Sequence, residues 1–260
     1  MSPEPDLPEN LAVRVQNVTK TYELGELLSL KRTLGRFTGR SPAVSDPFEA
    51  LHDVSFEVER GECVSMLGGN GSGKSTVLQI IAGLTLPTSG HAAVRGRVLP
   101  LFEIGNSFHP DLTGRENVVL FGTILGLPRR DIHAAMDEIA AFAEVERHID
   151  TPVKRYSLGM IARLSFAISM RFPADVYIFD EVLAVVDDEF TRKCLREMRG
   201  LAAAGRCVLF VSHDINAVKA VSSRGIWLEK GHLRAIGDVE DVAAQYAAAH
   251  ADPEPTAVEA

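Results

Sequence analysis

Two hydrophobic rhythms alternate along this chain. Short apolar or alternating runs at residues 12–15, 54–58, 63–67, 98–101, 176–179, 207–211 and 225–228 have the length and character of strands. Apolar residues at helical spacing occupy 74–83, 115–126, 131–145, 157–171, 189–204 and 239–249. Most of the later strand candidates are apolar at nearly every position, as parallel strands covered on both faces are. The pattern predicts an α/β fold with a purely helical stretch, about residues 107–172, set inside it. Residues 1–10 and 251–260, rich in Pro, Glu and Ala, read as disordered ends around a single domain over 11–250.

Composition narrows the picture. With 260 residues and 46% hydrophobic content the chain can bury a sizeable core. A formal charge of −8 argues against a nucleic-acid partner, whose binding surface requires an excess of Lys and Arg. Cys63, Cys194 and Cys207 are few and far apart, which fits neither a disulfide framework nor a metal site and suits a reducing compartment. No run approaches the roughly 18 apolar residues needed to cross a bilayer, and the acidic, Pro-rich start lacks the features of a signal peptide. A membrane role would therefore need a separate spanning chain.

The strongest chemical signal is CVSMLGGNGSGKSTVLQIIAG, in which an apolar run leads into a helical one through Gly68, Gly69, Asn70, Gly71, Ser72, Gly73, Lys74, Ser75 and Thr76. The glycines let successive N–H groups converge on phosphate oxygens, the helix beginning at Lys74 adds its positive end, and Lys74 reaches the β- and γ-phosphates. Ser75 offers a hydroxyl to Mg²⁺. Such a loop needs a carboxylate partner for the metal, and VYIFDE supplies Asp180 at the end of a strand, with Glu181 next to it to orient or deprotonate the attacking water. A guanine-specific Asn-Lys-x-Asp motif is absent, which favours adenine.

A quieter signal lies in RYSLGM, residues 155–160. Ser157 and Gly159 stand just ahead of a helical run carrying Ile161, Leu164 and Ile168 on one face. A hydroxyl, a glycine and a helix amino terminus make an anion site without a charged residue; in isolation the same residues form an ordinary helix cap.

In chain order, the phosphate loop, YSLGM, DEVLAVVD and LFVSHD resemble the ATP-binding cassette superfamily, and the resemblance runs from about residue 12 to residue 240. It implies an ABC-type P-loop NTPase with a RecA-like core, an antiparallel β subdomain and an inserted helical subdomain. It implies that Tyr22 stacks on adenine and that His213 contacts the γ-phosphate. Ser157, Leu158, Gly159 and Met160 would face the nucleotide of a second copy, and Asp187 would touch that copy, so that two chains sandwich two ATP molecules.

The spellings Tyr-Ser-x-Gly-Met, Asp-Glu-Val-Leu-Ala-Val and Gly-x-x-Phe-His-Pro-x-Leu-Thr-Gly-Arg-Glu-Asn are similar to those of ATP-binding subunits that export O-antigen, teichoic acid, capsule or cell-wall galactan. Val186 departs from the usual Gly of these relatives. Glu103 stands where a glutamine usually lines the metal and water; it would reach Mg²⁺ through water or answer a basic residue on a membrane partner. Between Tyr22 and Ala50 an insert, about 23–40, places Leu27, Leu30, Leu34 and Phe37 on one helical stripe, with Lys31, Arg32, Arg36 and Arg40 elsewhere. This short basic amphipathic helix suits an anionic membrane surface, a permease or the cover of a core. The resemblance thus implies a peripheral homodimer on the cytoplasmic face of the cell membrane, bound to an integral membrane permease pair that handles a lipid-linked polysaccharide. Alternatives are a soluble cassette of translation or DNA maintenance and the ATPase subunit of an importer.

Overall fold

The computed structural model describes residues 7–22, 47–101, 108–124, 126–180, 185–212 and 214–250. Two sheets run through them. β1 (Leu11–Tyr22) pairs antiparallel with both β2 (Phe48–Glu59) and β4 (Ser89–Val94), giving the order β2-β1-β4. The larger sheet comprises β3 (Cys63–Leu67), β5 (Val98–Pro100), β6 (Val176–Phe179), β7 (Cys207–Val211), β8 (Arg224–Glu229) and β9 (His232–Asp238). Its order is β5-β6-β7-β3-β8-β9, parallel except for β9, which turns back on β8. The helices are α1 (Lys74–Ile81), α2 (Gly114–Ile124), α3 (Arg129–Ala143), α4 (Leu158–Arg171), α5 (Asp188–Ala203), α6 (Ile215–Val221) and α7 (Val239–His250).

Strand period two divides the interior into two cores. Cys63, Leu67, Tyr177, Phe179, Val208 and Phe210 join the helices α2 to α5 on one face of the large sheet. Val64, Met66, Val176, Ile178, Leu209 and Val211 face the other way, onto α1 and the three-stranded sheet. Every residue of β3, β6 and β7 is buried, which is why these runs read as almost wholly apolar, with Ser65 bonded to Ser222 as the exception. Aromatic rings lock the helical layer to the sheet: Phe166 of α4 lies 5.3 Å from Phe179, and Phe142 of α3 meets Phe190 of α5 edge-on at 5.8 Å.

The expected α/β arrangement, with consecutive helices α2, α3 and α4 between β5 and β6, is present. β1 and β2 extend well beyond the predicted 12–15 and 54–58, because Asn17 and Asp53, both at φ 49°, bulge the pair and bond to each other before it resumes. β4 and β9 carry no strong apolar signal: the first half of β4 is exposed, and β9 alternates only between exposed and half-buried positions. The disordered start predicted for 1–10 is corrected over its last four residues. Leu7 is buried against Leu11 and Ala93, and the Arg95 guanidinium donates to the carbonyls of Leu7, Pro8 and Leu11. The insert at 23–40 and the segment 251–260 lie outside the described residues.

Candidate functional site

Six residues carry the chain from the end of β3 to the start of α1, and glycine makes that path possible. Gly68, Gly71 and Gly73 adopt φ of 150°, 74° and 103°, where L side chains are strained. A Cβ on Gly68 would fall 2.3 Å from the Leu228 carbonyl oxygen, whereas one on Gly69 would meet nothing within 4 Å. The first glycine admits the backbone of β8, and the second faces open space. From behind, the Gly231 N–H donates to the Ser72 carbonyl at 3.0 Å, and the His52 N–H donates to the Gly231 carbonyl at 2.9 Å. The loop is therefore tied to both β2 and the β8–β9 turn.

Lys74 is only 7% exposed, and a buried ammonium requires acceptors. Its Nζ donates to the carbonyls of Gly68 at 2.7 Å and Gly69 at 3.0 Å. A cavity of about 240 Å³ opens here, lined by Phe48, Ala50, residues 70–76 and Asp180. Asn70, Gly71, Ser72, Gly73, Lys74, Ser75, Thr76 and Asp180 are thus brought together, while Gly68 and Gly69 hold the lysine. The α1 amino terminus, the loop N–H groups and the ammonium form a cradle for phosphate oxygens. The Ser75 hydroxyl and Asp180 carboxylate are hard oxygen donors in the same cavity. No cluster of three or more His, Cys, Asp or Glu able to hold a metal occurs among the described residues. This sparse donor set fits Mg²⁺, which retains waters and phosphate oxygens as its other ligands.

Tyr22 is not in the cavity lining. It pairs directly across from Phe48, is 37% exposed, and has the Lys20 ammonium 4.8 Å from its ring centre. Phe48, which does line the cavity, went unnoticed in the sequence; its only signal is an aromatic residue just before the apolar alternation of β2.

Ser157 caps α4, its Oγ accepting the Met160 N–H at 3.2 Å. Leu158 is 72% exposed, and a Cβ on Gly159 would lie 3.2 Å from the Val185 carbonyl oxygen. Residues 157–160 contribute nothing to the cavity at Lys74. Asp187 caps α5 by accepting the Phe190 N–H at 2.9 Å, and its second oxygen pairs with Arg163. The helix N–H first, and then the guanidinium, hold its carboxyl below the usual carboxylate range. Glu103, Glu181 and His213 lie outside the described residues. Burial pushes the Cys63 thiol up to about 11 and those of Cys194 and Cys207 higher, so none is a ready nucleophile.

A glycine loop folded around a buried lysine, opening a helix beside a strand-end carboxylate, defines a P-loop nucleotide-binding protein. A family profile described as ABC transporter matches residues 51–184. The chain is 39% identical over 243 residues to the O-antigen export system ATP-binding protein RfbB of Klebsiella pneumoniae, spanning 90% of this chain and 96% of that protein. It is 39% identical over 248 residues to the teichoic acids export ATP-binding protein TagH of Bacillus cereus, spanning 92% of this chain and 43% of that protein. Among solved structures, the dimeric post-hydrolysis state of the ATP-binding cassette MJ0796 bound to ADP and Pi matches with a TM-score of 0.72 at 26% identity, covering 87% of this chain and 98% of that one. The chain belongs to the ATP-binding cassette family of ABC transporters, and it is an ATPase.

Proposed function

We propose that this protein drives export of a lipid-linked polysaccharide as a homodimer docked on a membrane permease pair at the cytoplasmic face of the membrane. The names of RfbB and TagH support the substrate class, and the dimeric MJ0796 cassette supports pairing. No helix among the described residues is long and apolar enough to cross a membrane. The observation that carries the reading is the separation of two anion-competent surfaces. The cavity at Lys74 contains none of residues 157–160, while their turn presents an exposed helix amino terminus. Facing a second copy, that turn completes the partner's phosphate site.

In this reading Lys74 and the loop N–H groups grip the β- and γ-phosphates, and Phe48, flanked by Tyr22, packs against the base. Ser75 and Asp180 would hold Mg²⁺, which when bound would neutralise phosphate charge. Glu181, next in sequence to Asp180, positions water or accepts its proton, and His213 contacts the γ-phosphate. Glu103 would reach the metal through water or answer a basic residue of the permease. Ser157, Leu158, Gly159, Met160 and Asp187 act across the dimer. The decisive experiment is sedimentation of Glu181→Gln with ATP. A dimer that forms only with nucleotide supports the reading; a monomer at every nucleotide concentration refutes it.

A further inference from the structure

Four charged side chains on α4, α5 and the end of α3 form a chain of ion pairs running Asp187–Arg163–Glu144–Lys193. On α4, Arg163 lies six residues beyond Ser157; one guanidinium nitrogen pairs with Glu144 at the end of α3 and the other with Asp187 at the cap of α5. Lys193 of α5 ends the chain, 3.7 Å from the second Glu144 oxygen, and donates to the Phe142 carbonyl at 2.8 Å. Phe190 forms its floor: the Arg163 guanidinium carbon lies 4.9 Å above that ring, and the Lys193 ammonium lies 4.1 Å from the ring of Phe142. Two cations and two anions leave the group neutral.

Arg163 is 21% exposed, but Glu144 and Asp187 are 50% and 53% exposed. Half-exposed carboxylates gain little stability from pairing, so the cluster is a weak explanation for the fold. It does fix geometry. A planar guanidinium serves two carboxylates at once in a set orientation, which an ammonium cannot. Because Arg163 belongs to the helix that Ser157 caps, its pair with Asp187 ties that helix to the α5 cap, and a Cβ on Gly159 would lie 3.2 Å from the carbonyl oxygen of Val185, two residues before Asp187.

We propose that Arg163 is a positioning residue for the composite ATP site: it holds the 157–160 turn and Asp187 as one unit, so that both meet the partner's nucleotide in register. This rests on the homodimer reading above. Misplacing a group by about 1 Å can cost up to a hundredfold in rate, so partial loosening should cost about tenfold.

Arg163→Met keeps an aliphatic stem over Phe190 and removes the fork; Asp187→Asn keeps a capping oxygen for α5 and removes the charge. Each is compared with the wild-type chain by thermal unfolding, by binding of a fluorescent ATP analogue to dilute protein, and by ATP turnover. We expect melting near wild type, analogue affinity within about twofold, and maximal turnover lowered about tenfold with reduced cooperativity in ATP. Arg163→Lys should fail to restore turnover, and the double variant should be no worse than the poorer single one, because both break the same link. Wild-type cooperativity and turnover in both single variants would overturn the inference. So would losses that multiply in the double variant, or losses that only follow unfolding. If Arg163→Met does not fold, Arg163→Lys, which keeps the charge and loses the fork, decides. A wild-type chain without ATP-dependent pairing would instead defeat the homodimer reading itself.

Discussion

Replacing Gly73 by alanine isolates what the phosphate loop requires of its backbone. Gly73 sits at φ 103°, which costs an L residue about 1–2 kcal/mol. Its new Cβ would also stand 2.7 Å from Leu51 Cδ2 and 2.8 Å from the Ala50 carbonyl oxygen. Leu51 is wholly buried and has no room to swing aside, so the overpacking adds about 1–3 kcal/mol. The combined loss, about 2–5 kcal/mol, is a large share of the roughly 5–15 kcal/mol that holds a domain together. Gly71 is the matched control: its φ is 74°, but an added Cβ meets nothing within 4 Å, leaving only the backbone cost of about 1–2 kcal/mol. Urea unfolding of both variants without nucleotide gives the two numbers directly. Equal destabilisation by the two substitutions would refute the packing of β2 against the loop as the reason for glycine at 73.

Lys74→Ala removes charge-assisted hydrogen bonds of about 1.5–3 kcal/mol each, so titration with a fluorescent ATP analogue should show affinity reduced at least about tenfold; unchanged affinity would contradict the role of the buried lysine. Phe48→Ala should weaken the same binding by about 1–2 kcal/mol through lost stacking, and Tyr22→Ala should do less, because Phe48 alone lines the cavity. The opposite ranking would return the base to Tyr22. Lys154 holds the carboxyl of Asp111 low, Arg115 that of Asp150, the backbone N–H and hydroxyl of Thr113 that of Glu116, and the Phe190 N–H with Arg163 that of Asp187. A folded pKa below the unfolded value stabilises fully above about pH 4 and is lost as pH falls through the lower folded value. These carboxylates should therefore weaken the fold only below about pH 4, and Asp150→Asn should blunt that acid decline in thermal unfolding. An unaltered decline in the variant would show that the Arg115 pairing contributes nothing to it.

Most of the fold was legible because its strands are buried on both faces. Cys63–Leu67, Val176–Phe179 and Cys207–Val211 are buried throughout and apolar at all positions but Ser65, whose hydroxyl is satisfied by that of Ser222. β9 failed to announce itself because an edge strand with polar residues between half-buried ones has no comparable signature. The phosphate loop was fully legible, since its glycines are dictated by local backbone geometry that short spacing records. Phe48 was not, because its approach to the loop depends on the β1–β2 register, which joins residues far apart in sequence. The Arg163 cluster was hidden for the same reason: Glu144, Arg163 and Asp187 lie about twenty residues apart, and only the packing of α3, α4 and α5 brings them together.

Mixing two inactive variants tests the shared site most directly. Lys74→Ala disables the phosphate loop, and Ser157→Arg blocks the turn offered to a partner, so neither should turn over ATP alone. In an equal mixture, half the dimers would pair one of each and contain one site with an intact loop and an intact turn, restoring about a quarter of wild-type ATPase activity. Activity that stays at the level of the separate variants, with mixed dimers demonstrably present, would mean that each chain works without its twin.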